Sequence, residues 1–235
     1  MISFVANKKE KWRKMYDYLY TLVIGNTDYR NFGKADETCQ MGRATVARPE
    51  LIEMEHHSRL QNLNNMIASS GKLIIKKYAS VGSQCIIIPE THIPTVGLPQ
   101  FLSFTHINDK IGNIVVNEDA WVGAGTILLA KCEIGRGAVI GAGSIVSKKI
   151  PPYAVAVGSP TKIIAARFTI EQILEHERIL YPPEERMSRK ELEELFKTYY
   201  DGLRTIGTSD ISDEDTQKLK EAKKQLGIPD YSEFS

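Results

Sequence analysis

Between Val116 and Pro151 an aliphatic side chain recurs at every sixth residue without a gap. The six hexads read VNEDAW, VGAGTI, LLAKCE, IGRGAV, IGAGSI and VSKKIP, headed by Val116, Val122, Leu128, Ile134, Ile140 and Val146. A period of six fits neither the 3.6-residue turn of an α-helix nor the two-residue alternation of an ordinary strand. It predicts short strands broken by turns at regular intervals, which is a parallel β-helix. Three hexads make one triangular turn, with the leading aliphatics inside and the stacked turns extending a single core. The fifth place is small in five of the six (Ala120, Thr126, Cys132, Ala138, Ser144), as a tight bend requires. Gly123, Gly125, Gly135, Gly137, Gly141 and Gly143 are read as residues of positive φ.

A second run in the same phase passes through Ile75, Val81 and Ile87, and a weaker one begins at Met41, with Ala47 next. The coil is therefore expected to start near residue 40, to break off over the polar stretch 56–70, and to resume at 72. From Thr91 to Asn113 the period is lost. An excursion of that length from a solenoid is where function is expected, since the repeats themselves are occupied with packing.

Beyond Pro151 and Pro152 the spacing turns helical. Thr169-Ile-Glu-Gln172 and Ser188-Arg-Lys-Glu191 are capping boxes ahead of helical runs. Leu192, Leu195, Phe196 and Tyr199 mark one apolar face of the second run. A third helix is expected over 212–226, with acids in its first turn and Gly227 and Pro229 as stop signals. An exposed end of a β-helix needs cover, and these helices are candidates for it or for contact with a neighbouring subunit. At the other end an amphipathic helix is expected, turning Phe4, Trp12, Met15, Leu19 and Leu22 towards the protein. The resulting division is a helical segment 1–39, a coil 40–168 with an excursion 91–113, and a helical extension 169–235.

Composition narrows the classes. Thirty basic residues against 29 acidic ones leave a net charge of +1, which offers nucleic acid no basic face. No run of 18 apolar residues is present. The basic-then-apolar start imitates a signal peptide, but Asp17 interrupts it and no small-x-small cleavage site follows. The cluster Lys8, Lys9, Lys11, Arg13 and Lys14 is read as a solvated helix face rather than a membrane contact. Three cysteines, Cys39, Cys85 and Cys132, are odd in number and lack metal-type spacing, so a reducing cytoplasmic setting is expected.

The stretch NEDAWVGAGTILLAKCEIGRGAVIGAGSIVSKKIPPYAVAVGSPTKII resembles the coenzyme-A-binding half of the hexapeptide-repeat acyltransferases. The likeness is continuous from about Ile114 to Arg167 and looser from about residue 40. It implies a mainly β fold, a left-handed parallel β-helix of hexapeptide repeats, assembled as a homotrimer with active sites between subunits. It also implies acetyl-CoA as acyl donor, with no metal. His92, in PETHIPTVGLPQF, takes the place of the family's general base, which removes the acceptor's proton as it attacks the thioester; an imidazole suits that task near neutral pH. His106 in the same excursion is its rival, or an acceptor-binding residue. Asp109 is open to two roles, orienting a histidine or bonding a sugar, with plain solvation as a third.

By the same likeness Trp121 matches a tryptophan lying along the pantetheine arm, and Ala124 and Ala142 match positions whose backbone holds the pantetheine amides. Ser147 and Lys148 match a pair near the adenosine end. Lys162 and Arg167 match basic residues near the coenzyme's phosphates. Cys85 and Cys132 fall at packing positions, so direct transfer in a ternary complex is expected over an acyl-cysteine. The acceptor expected is a hydroxyl of a sugar or surface-polysaccharide precursor, with an amino sugar as the alternative. A zinc-dependent carbonic-anhydrase-like coil would need three histidine ligands and lacks the H-x4-H pair. A non-catalytic β-helical scaffold is the alternative of another class.

Overall fold

The computed structural model describes residues 29–232 apart from 43, 47, 63, 68 and 69, together with Trp12 and Met15. The chain winds round three faces in strict rotation. It begins with β1 (Gln40–Met41) on the first face, β2 (Ala44–Val46) on the second and β3 (Ile52–Met54) on the third. β4 (Arg59–Leu60), β5 (Asn64–Met66) and β6 (Leu73–Ile75) make the next turn. β7 (Ser80–Val81) and β8 (Ile86–Ile88) follow, and the excursion carrying β9 (Glu90–Thr91) and β10 (Lys110–Ile111) leaves before β11 (Ile114–Val116) completes that turn. β12 (Trp121–Val122), β13 (Ile127–Leu129) and β14 (Glu133–Ile134) form the fourth turn, and β15 (Val139–Ile140), β16 (Ile145–Val146) and β17 (Lys149–Ile150) the fifth. β18 (Ala154–Val157) returns to the first face, where β19 (Lys162–Ala166) folds back antiparallel against it. All other pairings between turns are parallel.

The register explains the period. On the first face Met41, Leu60, Val81, Val122, Ile140 and Ala156 stand directly above one another. Every leading aliphatic from Val116 to Val146 is fully buried, and so are the small fifth-place residues. Each such aliphatic removed from water contributes roughly 1.5–3 kcal/mol, so the stacked column is the main source of stability.

Three details depart from the expected pattern. The coil does not break off over 56–70: β4 and β5 lie there, with Leu60 and Met66 in the core. Met54, Leu60 and Met66 keep the six-residue spacing, but polar neighbours such as Asn62 and Asn64 mask it. Asn64 is buried because its side chain replaces backbone partners, donating to the Gln61 carbonyl and accepting from the Cys85 N–H. The glycines divide into two kinds. Gly125, Gly137 and Gly143 have positive φ, whereas a Cβ on Gly123, Gly135 or Gly141 would meet the next turn at 2.5–2.6 Å, so close stacking is what requires those three. Finally, helical Trp12 and Met15 are exposed rather than turned inward; the rest of the expected N-terminal helix, including Phe4, Leu19 and Leu22, and Ala47 of the first repeat, lie outside the described residues.

The C-terminal helices α1 (Ile170–Leu180), α2 (Arg189–Tyr199) and α3 (Asp213–Leu226) form where the sequence signals place them. Both capping boxes are made, Ser212 caps α3, and Gly227 ends it with positive φ. On α2, Leu192 is buried with Leu195 and Phe196 packed beside it, but Tyr199 is exposed and Tyr200 is the aromatic that is buried. The extension does more than cover an end. It runs along the edge between the third and first faces and touches that edge at five successive corners. His57 binds the Leu226 carbonyl at 2.7 Å, Lys77 pairs with Glu185, and Asp119 receives His176 at 2.9 Å. Arg136 pairs with Glu177 at 3.1 Å, and the Tyr153 hydroxyl donates to Glu177 at 2.7 Å.

Candidate active site

The excursion leaves the edge between the second and third faces and is closed at its base by β9 and β10. Their antiparallel register pairs Thr91 with Lys110 and Glu90 with Ile111. The next residues inward along the two arms are His92 and Asp109, so the hairpin register itself sets them opposite each other. His92 Nδ1 lies 2.9 Å from Asp109 Oδ1. The loop between the arms contains a 3-10 segment, Gln100–Thr105, which ends at His106 in the left-handed region with φ 55°. That turn brings His106 Nδ1 to 2.9 Å from Asp109 Oδ2. Across the loop, Asn108 Nδ2 donates to Thr95 Oγ1 at 2.9 Å.

The electrostatics fix the protonation pattern. The hydrogen bond from His92, reinforced by that from His106, holds the Asp109 carboxyl below the usual carboxylate range against some desolvation. A carboxylate only accepts, so each Nδ1 carries a proton and each neutral ring keeps its lone pair on Nε2. Asp109 is 10% exposed, while the two imidazoles are 44% and 47% exposed. The arrangement is a screened carboxylate steering two accessible bases.

The other expected site residues fall on different parts of the prism. Trp121 is 54% exposed on the first face. Ala124 and Ala142 are exposed at the edge between the first and second faces on successive turns, joined by the Gly143 N–H donating to the Ala124 carbonyl at 2.9 Å. Ser147 and Lys148 are exposed on the edge from which the excursion leaves, two turns further on. Lys162 is exposed on β19. Arg167 is not brought to either of these edges. Its guanidinium is held at the third–first edge by Asp119 Oδ2 at 2.6 Å and by the carbonyls of Asp119 and Gly137, and it covers the Phe168 ring. Those bonds use the charge for packing the helical extension, a role that only the tertiary contacts reveal.

Cys85 and Cys132 are buried at fifth positions, where burial raises the Cys85 thiol and pushes Cys132 up to about 12. Such thiols are poor nucleophiles, since the thiolate is the reactive form. Sequence reasoning left open that Asp109 serves both histidines. The His106-x-x-Asp109 spacing was one available signal, but the pairing with His92 depends on the hairpin register.

Coil and site together define a hexapeptide-repeat β-helix with a two-histidine excursion. Residues 113–148 match the family model for bacterial transferase hexapeptide, six repeats. The chain is 43% identical over 75 residues to a chloramphenicol acetyltransferase of Klebsiella aerogenes, covering 32% of this chain and 36% of that one. It is 44% identical over 66 residues to a putative acetyltransferase of Staphylococcus aureus, covering 27% and 33%. The matched stretch thus spans about a third of the length of these curated relatives. The structure resembles a hexapeptide-repeat acetyltransferase of Vibrio cholerae solved with acetyl-coenzyme A, with a TM-score of 0.53 and 17% identity over 60% of this chain and 74% of that one, a likeness of fold. The recognition of acyltransferase-type hexapeptide repeats in the sequence therefore stands. Among the described residues no helix is long and apolar enough to cross a membrane.

Proposed function

We propose that this protein is an acyl-CoA-dependent O-acetyltransferase that moves an acetyl group from acetyl-CoA to a hydroxyl of a sugar or surface-polysaccharide precursor. The observation that carries the reading is the Nδ1 bond from His92 to Asp109, which leaves an accessible imidazole with its Nε2 lone pair available. In a ternary complex His92 takes the acceptor's proton as its oxygen attacks the thioester carbonyl, and the coenzyme thiolate leaves with a proton returned to it. His106 and Asp109 sit where they would position the acceptor and the base. Trp121, Ala124 and Ala142 supply a track for the pantetheine arm, with Ser147, Lys148 and Lys162 as polar and cationic partners for the rest of the coenzyme. Arg167 is left out of that set on account of its packing role.

The coil is taken as left-handed, as in the proteins whose repeats it shares, and the location as cytoplasmic. The working unit is taken as a homotrimer with the coenzyme between subunits. Val96, Phe101, Phe104 and Ile107 stand exposed on the excursion and favour burial of that loop against a second copy of the chain. Light scattering at micromolar protein should return three times the 26.4 kDa chain mass, and a monomer would refute the assembly.

The activity is read by incubating the protein with acetyl-CoA and a panel of sugar acceptors while following thiol release. Acetyl-CoA should also raise the melting temperature, because a ligand selective for the native state stabilises it. An absence of both binding and transfer would support a non-catalytic scaffold instead.

A further inference from the structure

We propose that His92, His106 and Asp109 form a site for one divalent transition-metal ion of the zinc type, and that an ion held there blocks acetyl transfer. Binding rests on geometry and donor chemistry alone; only the blocking effect rests on His92 being the base.

The three side chains each offer one ligand atom, and these atoms lie within 4.8 Å of one another. Zinc takes imidazole nitrogen and carboxylate oxygen at about 2.0–2.2 Å in a tetrahedron, so its ligands stand about 3.3 Å apart. The N···O separations are 2.9 Å, from His92 to Oδ1 and from His106 to Oδ2, so the ring beside the ligating oxygen needs to withdraw by only a few tenths of an ångström, and the other ring stays within the 4.8 Å span of the set. Both rings are half-exposed on a loop, which leaves room for that shift and an open side for a water ligand. Two imidazoles and one carboxylate suit zinc or its first-row neighbours, whereas magnesium and calcium prefer all-oxygen sets. The carboxylate is already ionised, so no proton must leave it before metal binds.

The predicted inhibition follows from the tautomers. With Asp109 as partner, each ring carries its proton on Nδ1 and its lone pair on Nε2. Coordination through Nδ1 needs the opposite tautomer, with the proton moved through solvent to Nε2. No proton is released overall from a neutral ring, but the nitrogen that would accept the acceptor's proton is now protonated. Metal and substrate proton therefore compete for the same imidazole.

The test uses the full chain, treated with chelator and titrated with cobalt(II) and zinc(II) alone. One equivalent should bind, with cobalt giving the visible absorption of a low-coordinate nitrogen–oxygen site. Affinity should fall in acid, because a protonated imidazole cannot coordinate. His106→Ala and Asp109→Asn should each weaken binding by about tenfold or more. Paramagnetic shifts of the His92 and His106 ring protons in the unsubstituted cobalt protein give a reading independent of the variants' folding. His56→Ala is the control, because His56 and His57 form a second imidazole pair with Nδ1 atoms 3.0 Å apart. Lack of stoichiometric binding at submillimolar metal overturns the site, as does binding that survives both loop variants and vanishes in His56→Ala. Zinc should suppress thiol release and chelator should restore it. Binding at the loop with full transfer activity would overturn the blocking mechanism while leaving the site intact.

Discussion

His92→Ala should lower kcat by about two to four powers of ten while the protein keeps its fold and its affinity for acetyl-CoA. The size follows from losing a positioned general base at a step that needs proton removal. Coenzyme affinity should persist because Trp121, Ala124 and Ala142 lie on the regular turns, away from the excursion. The fold should persist because His92 is exposed and its partner is a loop carboxylate, outside the aliphatic column. In the unsubstituted enzyme kcat/KM should show an acid limb, because a protonated base cannot accept the acceptor's proton, and the variant should lack that limb. Asp109 does not contribute to the limb: its carboxyl is held low, so its bonds to the histidines fail only as pH falls through that depressed value. His106→Ala should alter the acceptor KM more than kcat. If instead His106→Ala abolishes turnover and His92→Ala stays active, the two imidazoles have exchanged roles.

The second large effect concerns stability. Glu177→Ala should destabilise the protein by about 2–4 kcal/mol, read as a lowered urea midpoint. Its side chain is 1% exposed and accepts from Arg136, from the Tyr153 hydroxyl and from the Met187 N–H at 3.1 Å. Truncation leaves the buried Tyr153 hydroxyl and the Met187 N–H without their acceptor, while Arg136 loses one carboxylate but keeps Glu118 at 3.4 Å and the Glu185 carbonyl at 2.7 Å. Glu177→Gln should cost less, since an amide oxygen still accepts. A loss under about 1 kcal/mol for the alanine variant would mean that water enters and replaces the carboxylate.

The repeat was legible because each leading aliphatic answers to one local rule: it must face the interior at every sixth residue. Where the rule is diluted the pattern fades. Met54, Leu60 and Met66 obey it, yet Asn62 and Asn64 beside them look like loop residues until the Cys85 N–H is found bonded to Asn64. The capping boxes at Thr169 and Ser188 were readable for a similar reason, since their partners are three residues away. Arg167 shows the limit. The family likeness matches it to a residue near the coenzyme's phosphates, but Asp119 and Gly137 hold it from 48 and 30 residues away, and no sequence period carries that information. His92 and Asp109 lie between these cases, 17 residues apart and joined by a hairpin whose register only the folded chain reveals.

The five contacts along the third–first edge change how such a rod comes apart. Stacked turns that touch only their neighbours are quasi-one-dimensional, so they fray from either end one unit at a time. Here the helical extension grips corners from His57 to Tyr153, like a splint bound at several points to a spring. Opening one turn then requires releasing a brace shared with the others. Unfolding should become a single cooperative event over the splinted length, and hydrogen exchange in the second and fifth turns should report one common free energy.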